Sequence, residues 1–219
     1  SKNMDLITLE KIDMQFNSKK VLTDFTMTIS NNEMVAITGP SGVGKSTVLN
    51  ILGLLLQPTR GKTIHFGHEN VRLNSLKAMK ILREDIGYLF QNYALIDNDT
   101  VLQNMKLAAK YSQTKDKTSA IETALNDVGL IDMHQQKVYS LSGGEQQRLA
   151  MARLMVKPCQ VILADEPTGN LDEANSQNII QLLRILKDRG KSLVVVTHST
   201  GLLPAFDRII SLEQTKEET

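Results

Sequence analysis

One stretch limits the possible folds more than any other: Gly39-Pro40-Ser41-Gly42-Val43-Gly44-Lys45-Ser46-Thr47. It fits the phosphate-binding pattern G-x-x-x-x-G-K-[ST]. The apolar run Met34-Val35-Ala36-Ile37-Thr38 before it predicts a buried strand, and Thr47 to Leu52 after it predicts the start of a helix. Gly42 and Gly44 let the backbone bend so that successive N–H groups face inward on a phosphate chain. The following helix adds its positive end. Lys45 is placed to reach the β- and γ-phosphates, and the Ser46 hydroxyl to bind Mg²⁺. A glycine-rich turn alone would be an ordinary connector; the strand and helix flanking it argue for nucleotide binding.

Composition narrows the partners. A chain of 219 residues, 41% hydrophobic, suits one globular domain with a substantial core. Its 25 basic and 24 acidic side chains leave a net charge of +1, and only 4% of residues are aromatic. Neither a basic footprint nor a base-stacking platform is present, so no nucleic-acid partner is expected. The single cysteine, Cys159, permits no intrachain disulfide and fits a reducing compartment as a small hydrophobe before a strand. No secretory signal is read, and the longest apolar runs, such as Leu193-Val194-Val195-Val196, are too short to span a bilayer. Work at a membrane would need another chain as anchor.

The alternation Ile7, Leu9, Ile12, Met14, Phe16 predicts a half-buried strand, and Leu22, Phe25, Met27, Ile29 a second. Together they predict an antiparallel edge sheet leading into the strand before the glycine turn. Strands are further predicted at Lys62 to Gly67, Ile86 to Phe90, Val161 to Ala164, Leu193 to Thr197 and Arg208 to Leu212, with helices over 75–84 and 173–189. Between 92 and 157 the pattern is mostly helical. Thr100 and Gln103 form a capping box opening a helix at 101–111, and Gly129 closes another. That stretch interrupts the strand–helix alternation and reads as a helical insertion. Lys115-Asp116-Lys117 reads as a solvated charged face, and the tail 214–219 as polar and frayed.

Two more groups carry chemistry. The strand Val161 to Ala164 runs into Asp165-Glu166, carboxylates at the sheet edge where open α/β folds bind ligands. Asp165 is placed to help hold Mg²⁺; Glu166, one residue further out, is free to act on water near the γ-phosphate. Leu141-Ser142-Gly143-Gly144-Glu145, followed by the helical Gln146-Gln147-Arg148, makes a second helix N-terminus able to take an anion.

That pentapeptide is the signature of the ATP-binding cassette (ABC) ATPases, and the whole chain resembles the nucleotide-binding subunit of an ABC transporter. Gly39 to Thr47 matches its Walker A motif, Val161 to Asp165 with Glu166 its Walker B, and Gln91 its Q-loop. Gly169-Asn170-Leu171-Asp172 matches the D-loop and His198 the switch histidine. Phe16 stands where the family usually has an adenine-stacking aromatic, most often Tyr; read from its strand alone, Phe16 would be a core residue.

The resemblance implies a P-loop NTPase core with a mostly parallel sheet, an N-terminal antiparallel β subdomain and an inserted α-helical subdomain. In those terms residues 1–219 form a single ABC ATPase domain, with the core and antiparallel part at about 1–91 and 158–219 and the helical subdomain at about 92–157. It implies ATP and Mg²⁺ as ligands and a homodimer, head to tail, when ATP is bound. Ser142, Gly143, Gly144 and Glu145 would then meet the ATP held by the other copy's Walker A, with Asp172 near that interface. Glu166 would act as base, with His198, Lys45 and Gln91 completing the catalytic set; Ser46, Gln91 and Asp165 would serve the metal. The partner would be an integral membrane permease on a separate chain, holding a cytoplasmic protein on the inner face of the cell membrane.

Ala164 to Asp172 and Leu141 to Arg148 look most like the MacB/LolD/FtsE group. That suggests export, extrusion or antimicrobial-peptide resistance, with an FtsE-like role in cell division as the alternative. Residues 92–99 are read as helping to set the partner. A soluble ABC ATPase acting on DNA or the ribosome fits less well, because no sustained heptads separate the motifs and there is one cassette. The signature, and the lack of an Asn-Lys-x-Asp guanine motif, argue against a P-loop kinase or switch GTPase.

Overall fold

The computed structural model describes residues 4–40, 42, 44–89, 95–169 and 171–213. The expectations at Ser41, Val43, Gln91, Asn170, residues 92–94 and the tail lie outside the described residues. In chain order the elements are β1 (Asp5–Phe16), β2 (Lys19–Ser30), β3 (Met34–Thr38), α1 (Lys45–Leu52), β4 (Arg60–His65), β5 (His68–Glu69), α2 (Leu76–Glu84), β6 (Ile86–Leu89), α3 (Val101–Ala108), α4 (Lys117–Asp127), α5 (Gly143–Val156), β7 (Val161–Asp165), α6 (Glu173–Asp188), β8 (Ser192–Val196) and β9 (Arg208–Ser211). Short 3₁₀ turns lie at Val138–Ser140 and Thr200–Ala205. Among the described residues no helix is long and apolar enough to cross a membrane.

The strands form two sheets. One is antiparallel, ordered β2-β1-β4-β5; the other, ordered β6-β7-β8-β3-β9, has all its neighbours parallel. In β1 the apolar residues slip from odd to even positions between Leu9 and Ile12. Strict alternation would send one half of the strand to solvent. Instead the ladder to β2 shifts between those residues and Lys11 takes a left-handed φ of 49°, a bulge that returns both halves to the core. Leu9 and Ile12 are both fully buried. β4 ends at His65, two residues before the predicted Gly67, because Phe66 and Gly67 turn the chain back into β5.

The parallel strands β3, β7 and β8 are buried on both faces, which explains their unbroken apolar runs. Their alternation sorts residues between two cores. Ile37, Leu163, Val194 and Val196 pack with α1 and the antiparallel sheet. Ile162, Ala164, Leu193 and Val195 pack with the helices α3 to α6. Each large apolar side chain buried this way contributes about 1.5–3 kcal/mol before chain entropy is counted.

Between β6 and β7 the described residues carry the helices α3, α4 and α5. Both halves of the Thr100–Gln103 capping box are formed, and Gly129 follows α4 with a left-handed φ of 76°. The Lys115-Asp116-Lys117 block does more than face solvent. Asp116 caps α4, accepting the Ser119 N–H at 2.9 Å, and Lys117 donates to the Lys110 carbonyl. Cys159 is free and buried just before β7.

Candidate functional site

Because β3, β7 and β8 are parallel neighbours, the residues following them emerge at one sheet edge. The turn after β3 leads into α1, whose N-cap is Gly44 with a φ of 101°. Among the described residues no side chain caps this helix, so the N–H groups of its first turn can face a ligand. Gly44 is also packed: a Cβ there would come within 2.9 Å of Val21 Cγ1. At Gly42, φ is 78° and the space a Cβ would take is open. Lys45 curls back over the turn and donates its ammonium to the Gly39 carbonyl. Pro40 is exposed and Thr47 half-buried on the same turn and helix start.

Asp165 closes β7, and the Ser46 hydroxyl at the start of α1 lies near enough to act on its carboxyl. Burial pushes its carboxyl above the ordinary aspartate range, and the neighbouring Glu166 charge adds to that; Ser46 and Lys45 pull it back down. A hydroxyl beside a carboxylate is an oxygen set that suits Mg²⁺, which takes few protein ligands beside substrate phosphates. Among the described residues no three His, Cys, Asp or Glu side chains gather as a metal cage. A cation here would therefore share its coordination with the nucleotide.

Glu166 has a left-handed φ of 46°, rare for a side-chain-bearing residue. Its N–H donates to the Val196 carbonyl at 2.8 Å, and its own carbonyl accepts from the Gly169 N–H. The strained turn sets the carboxylate against the residue after Thr197, where Oε1 lies 2.7 Å from His198 Nδ1. Oε2 is buried without a hydrogen-bond partner among the described residues. Gly42, Gly44, Lys45, Ser46, Asp165, Glu166 and His198 are thus gathered at one edge of the sheet by the ends of three adjacent strands.

The signature occupies a different place, the N-terminus of α5. Ser142 Oγ accepts the Glu145 N–H at 3.1 Å, and Glu145 Oε1 accepts the Ser142 N–H at 2.9 Å. These hydrogen bonds hold the Glu145 carboxyl below the usual glutamate range. Ser142, Gly143 and Gly144 are exposed. Arg148, to which sequence reading gave no role, places Nη1 3.7 Å from the Cβ position of Gly144; the i,i+4 spacing on α5 was the available signal. Asp172 is the N-cap of α6, accepting the Asn175 N–H at 2.8 Å. Phe16 ends β1 with 43% exposure, so its ring is not core.

Fold and site together define a nucleotide-binding α/β protein of the P-loop kind. The family described as ABC transporter matches residues 22–169. An uncharacterised ABC transporter ATP-binding protein of Thermotoga maritima is 37% identical over 220 residues, covering 99% of this chain and 94% of that one. The macrolide export ATP-binding/permease protein MacB of Psychrobacter arcticus is 39% identical over 196 residues, covering 89% of this chain but 30% of that one. The chain therefore spans about a third of MacB's length. Among solved structures, the dimeric ABC transporter cassette MJ0796 superposes with a TM-score of 0.81 at 34% identity, over 95% of this chain and 94% of that one. A second structure of MJ0796, a dimer in a post-hydrolysis state bound to ADP and Pi, gives the same TM-score. The chain belongs to the ABC transporter family. It is an ATP-binding ATPase cassette with the ABC fold.

Proposed function

We propose that this cassette hydrolyses ATP to drive a MacB-like membrane export or extrusion machine, closing head to tail on a second copy as ATP binds. The observation that carries the reading is the convergence of Ser46, Asp165, Glu166 and His198 beside an uncapped α1 N-terminus. The open first turn of α1, with Lys45 and the turn residues Gly39 to Gly44, would hold the triphosphate. Ser46 and Asp165, with Gln91, would hold Mg²⁺, which when bound supplies positive charge to the β- and γ-phosphate oxygens. Phe16 would stack on adenine. Glu166 would take a proton from the attacking water, and His198 would hold that carboxylate in place. Ser142, Gly143 and Gly144 would meet the triphosphate of the second copy, with Asp172 near the same interface.

The dimeric state of MJ0796 supports a two-copy mechanism. The name of MacB, an ATP-binding/permease protein, supports coupling to a membrane part. In this reading the permease is a separate chain that holds the cassette on the inner face of the membrane. The cassette is read as one domain with its helical subdomain at about 92–157.

The test is a sizing column run with Glu166→Gln. A shift from monomer to dimer with ATP and Mg²⁺, and none with ADP, is expected. Turnover at the wild-type rate in this variant would overturn the assignment of Glu166. Co-purification with a membrane protein tests the coupling.

A further inference from the structure

The Glu145 side chain does something that the capping of α5 alone does not require. The box that opens α5 needs an acceptor at its third position for the Ser142 N–H, and a neutral glutamine amide serves as well as a carboxylate. Here the acceptor is charged. Glu145 Oε1 takes the Ser142 N–H at 2.9 Å while Ser142 Oγ takes the Glu145 N–H at 3.1 Å. The side chain is half-buried and lies beside the exposed residues Ser142 to Gly144. Its hydrogen bonds to Ser142 favour the ionised form, as does the neighbouring Arg148. A full negative charge thus stands permanently at the end of α5.

In the two-copy reading, that end of α5 is where the triphosphate bound by the other copy must arrive. We propose that the Glu145 carboxylate is an electrostatic brake on ATP-driven closure, placing a negative charge where the partner copy's triphosphate has to approach. The inference rests on the head-to-tail reading above and adds a determinant of its affinity. Arg148 sits one turn along α5 against Gly144 and offsets part of the charge. The Ser142 N–H, which a phosphate oxygen could otherwise take, is already occupied by Glu145. Both features weaken the closed pair and ease its separation after hydrolysis. A symmetric dimer holds two such sites, so the effect enters twice.

The experiment compares three full-length cassettes by sedimentation equilibrium with ATP and Mg²⁺. All carry Glu166→Gln, with residue 145 left as Glu, changed by Glu145→Gln, or changed by Glu145→Lys. Glu145→Gln keeps the capping box and removes only the charge, so at low salt the dimer should tighten roughly tenfold. Glu145→Lys should tighten it further. At about 1 M salt the difference between the Glu and Gln proteins should shrink to about twofold or less, because exposed charges are then screened within a few ångströms. A role limited to capping would not change with salt. Equal dimer constants for Glu and Gln at low salt, a salt-independent difference, or any other order of the three proteins overturns the brake while leaving the two-copy reading intact. No ATP-dependent dimer in any of the three overturns the two-copy reading, and the brake with it.

Discussion

His198 Nδ1 and Glu166 Oε1 stand 2.7 Å apart, joining the second residue after β8 to the residue after β7 across the sheet edge. The contact is asymmetric. The Glu166 side chain is 14% exposed and the His198 ring 64%. One carboxylate oxygen is held by the imidazole, and the other, Oε2, is buried with no partner among the described residues. A carboxylate oriented through one oxygen keeps the second for a water proton. Glu166→Gln is therefore expected to lower steady-state turnover by about 10²–10⁴-fold while ATP still binds. His198→Ala removes the holder but leaves the base, so its loss in turnover should be smaller. Phosphate-release rates beside fluorescent-nucleotide binding for both variants check the order; a larger loss from His198→Ala would reverse the roles.

Asp165 shows the opposing demands of site and stability. Burial, then the Glu166 charge, holds its folded-state carboxyl above the ordinary range. A raised carboxyl contributes stability that is fully present below the unfolded value and is lost as pH rises through the folded value. The nucleotide-free cassette should thus gain from Asp165→Asn at neutral pH, by about 2 °C in Tm. The gain should fade as pH falls below about 4, where the aspartate is protonated in the unfolded chain as well. With ATP and Mg²⁺ the order should invert, because the variant loses the ligand-linked stabilisation. Thermal melts across pH, with and without nucleotide, read both effects; a variant less stable than the parent at pH 7 without nucleotide would contradict the strain.

Gly44→Ala tests the cradle. The position combines a left-handed φ with a wall, Val21 Cγ1, 2.9 Å from where the new methyl would sit. Strain of this kind costs about 1–3 kcal/mol, which for a chain of this length lowers Tm by several degrees. Val21 lies in β2, so relief must come from shifting the antiparallel sheet or the turn, and nucleotide affinity should fall with stability. A melt and a titration on the same protein settle it; unchanged affinity would mean that the turn tolerates a side chain.

The parts of the fold that sequence shows most clearly are those where one local rule decides. Four apolar residues before Asp165 marked a strand covered on both faces, and Thr100 with Gln103 marked a helix start. The edge position of Asp165, Glu166 and His198 followed from where their strands had to end. What sequence could not show depended on contacts distant in the chain. The grouping of β4 with β1, rather than with the parallel sheet, is set by pairing across more than forty residues. The hydrogen bond between Glu166 and His198 spans 32 residues. The bulge at Lys11 was visible only as an unexplained slip in the alternation. Asp116 was read as one charge in a run because its capping role depends on where α4 begins. For Phe16, alternation alone favoured the core, and exposure at the end of β1 decides against it.

Asp172 makes the last prediction, because its two roles separate by substitution. As the N-cap of α6 it accepts the Asn175 N–H through Oδ1 at 2.8 Å and the Asn175 side-chain amide through Oδ2 at 3.1 Å. Asparagine is as good a cap as aspartate, whereas alanine supplies no acceptor. Asp172→Ala should therefore cost about 1 kcal/mol, a fall of about 2–4 °C in Tm for a domain of this size. Asp172→Asn should melt close to the parent. α6 is 16 residues long and buries Ile179, Ile180, Leu183 and Leu186, so the loss is confined to its first turn and the fold persists. Hydrogen exchange at the amides of residues 173–176 locates it: protection should drop there in Asp172→Ala and not at Leu183 or Leu186. Equal melting of the Ala and Asn variants would show that the cap contributes nothing and that whatever Asp172 does is done through its charge.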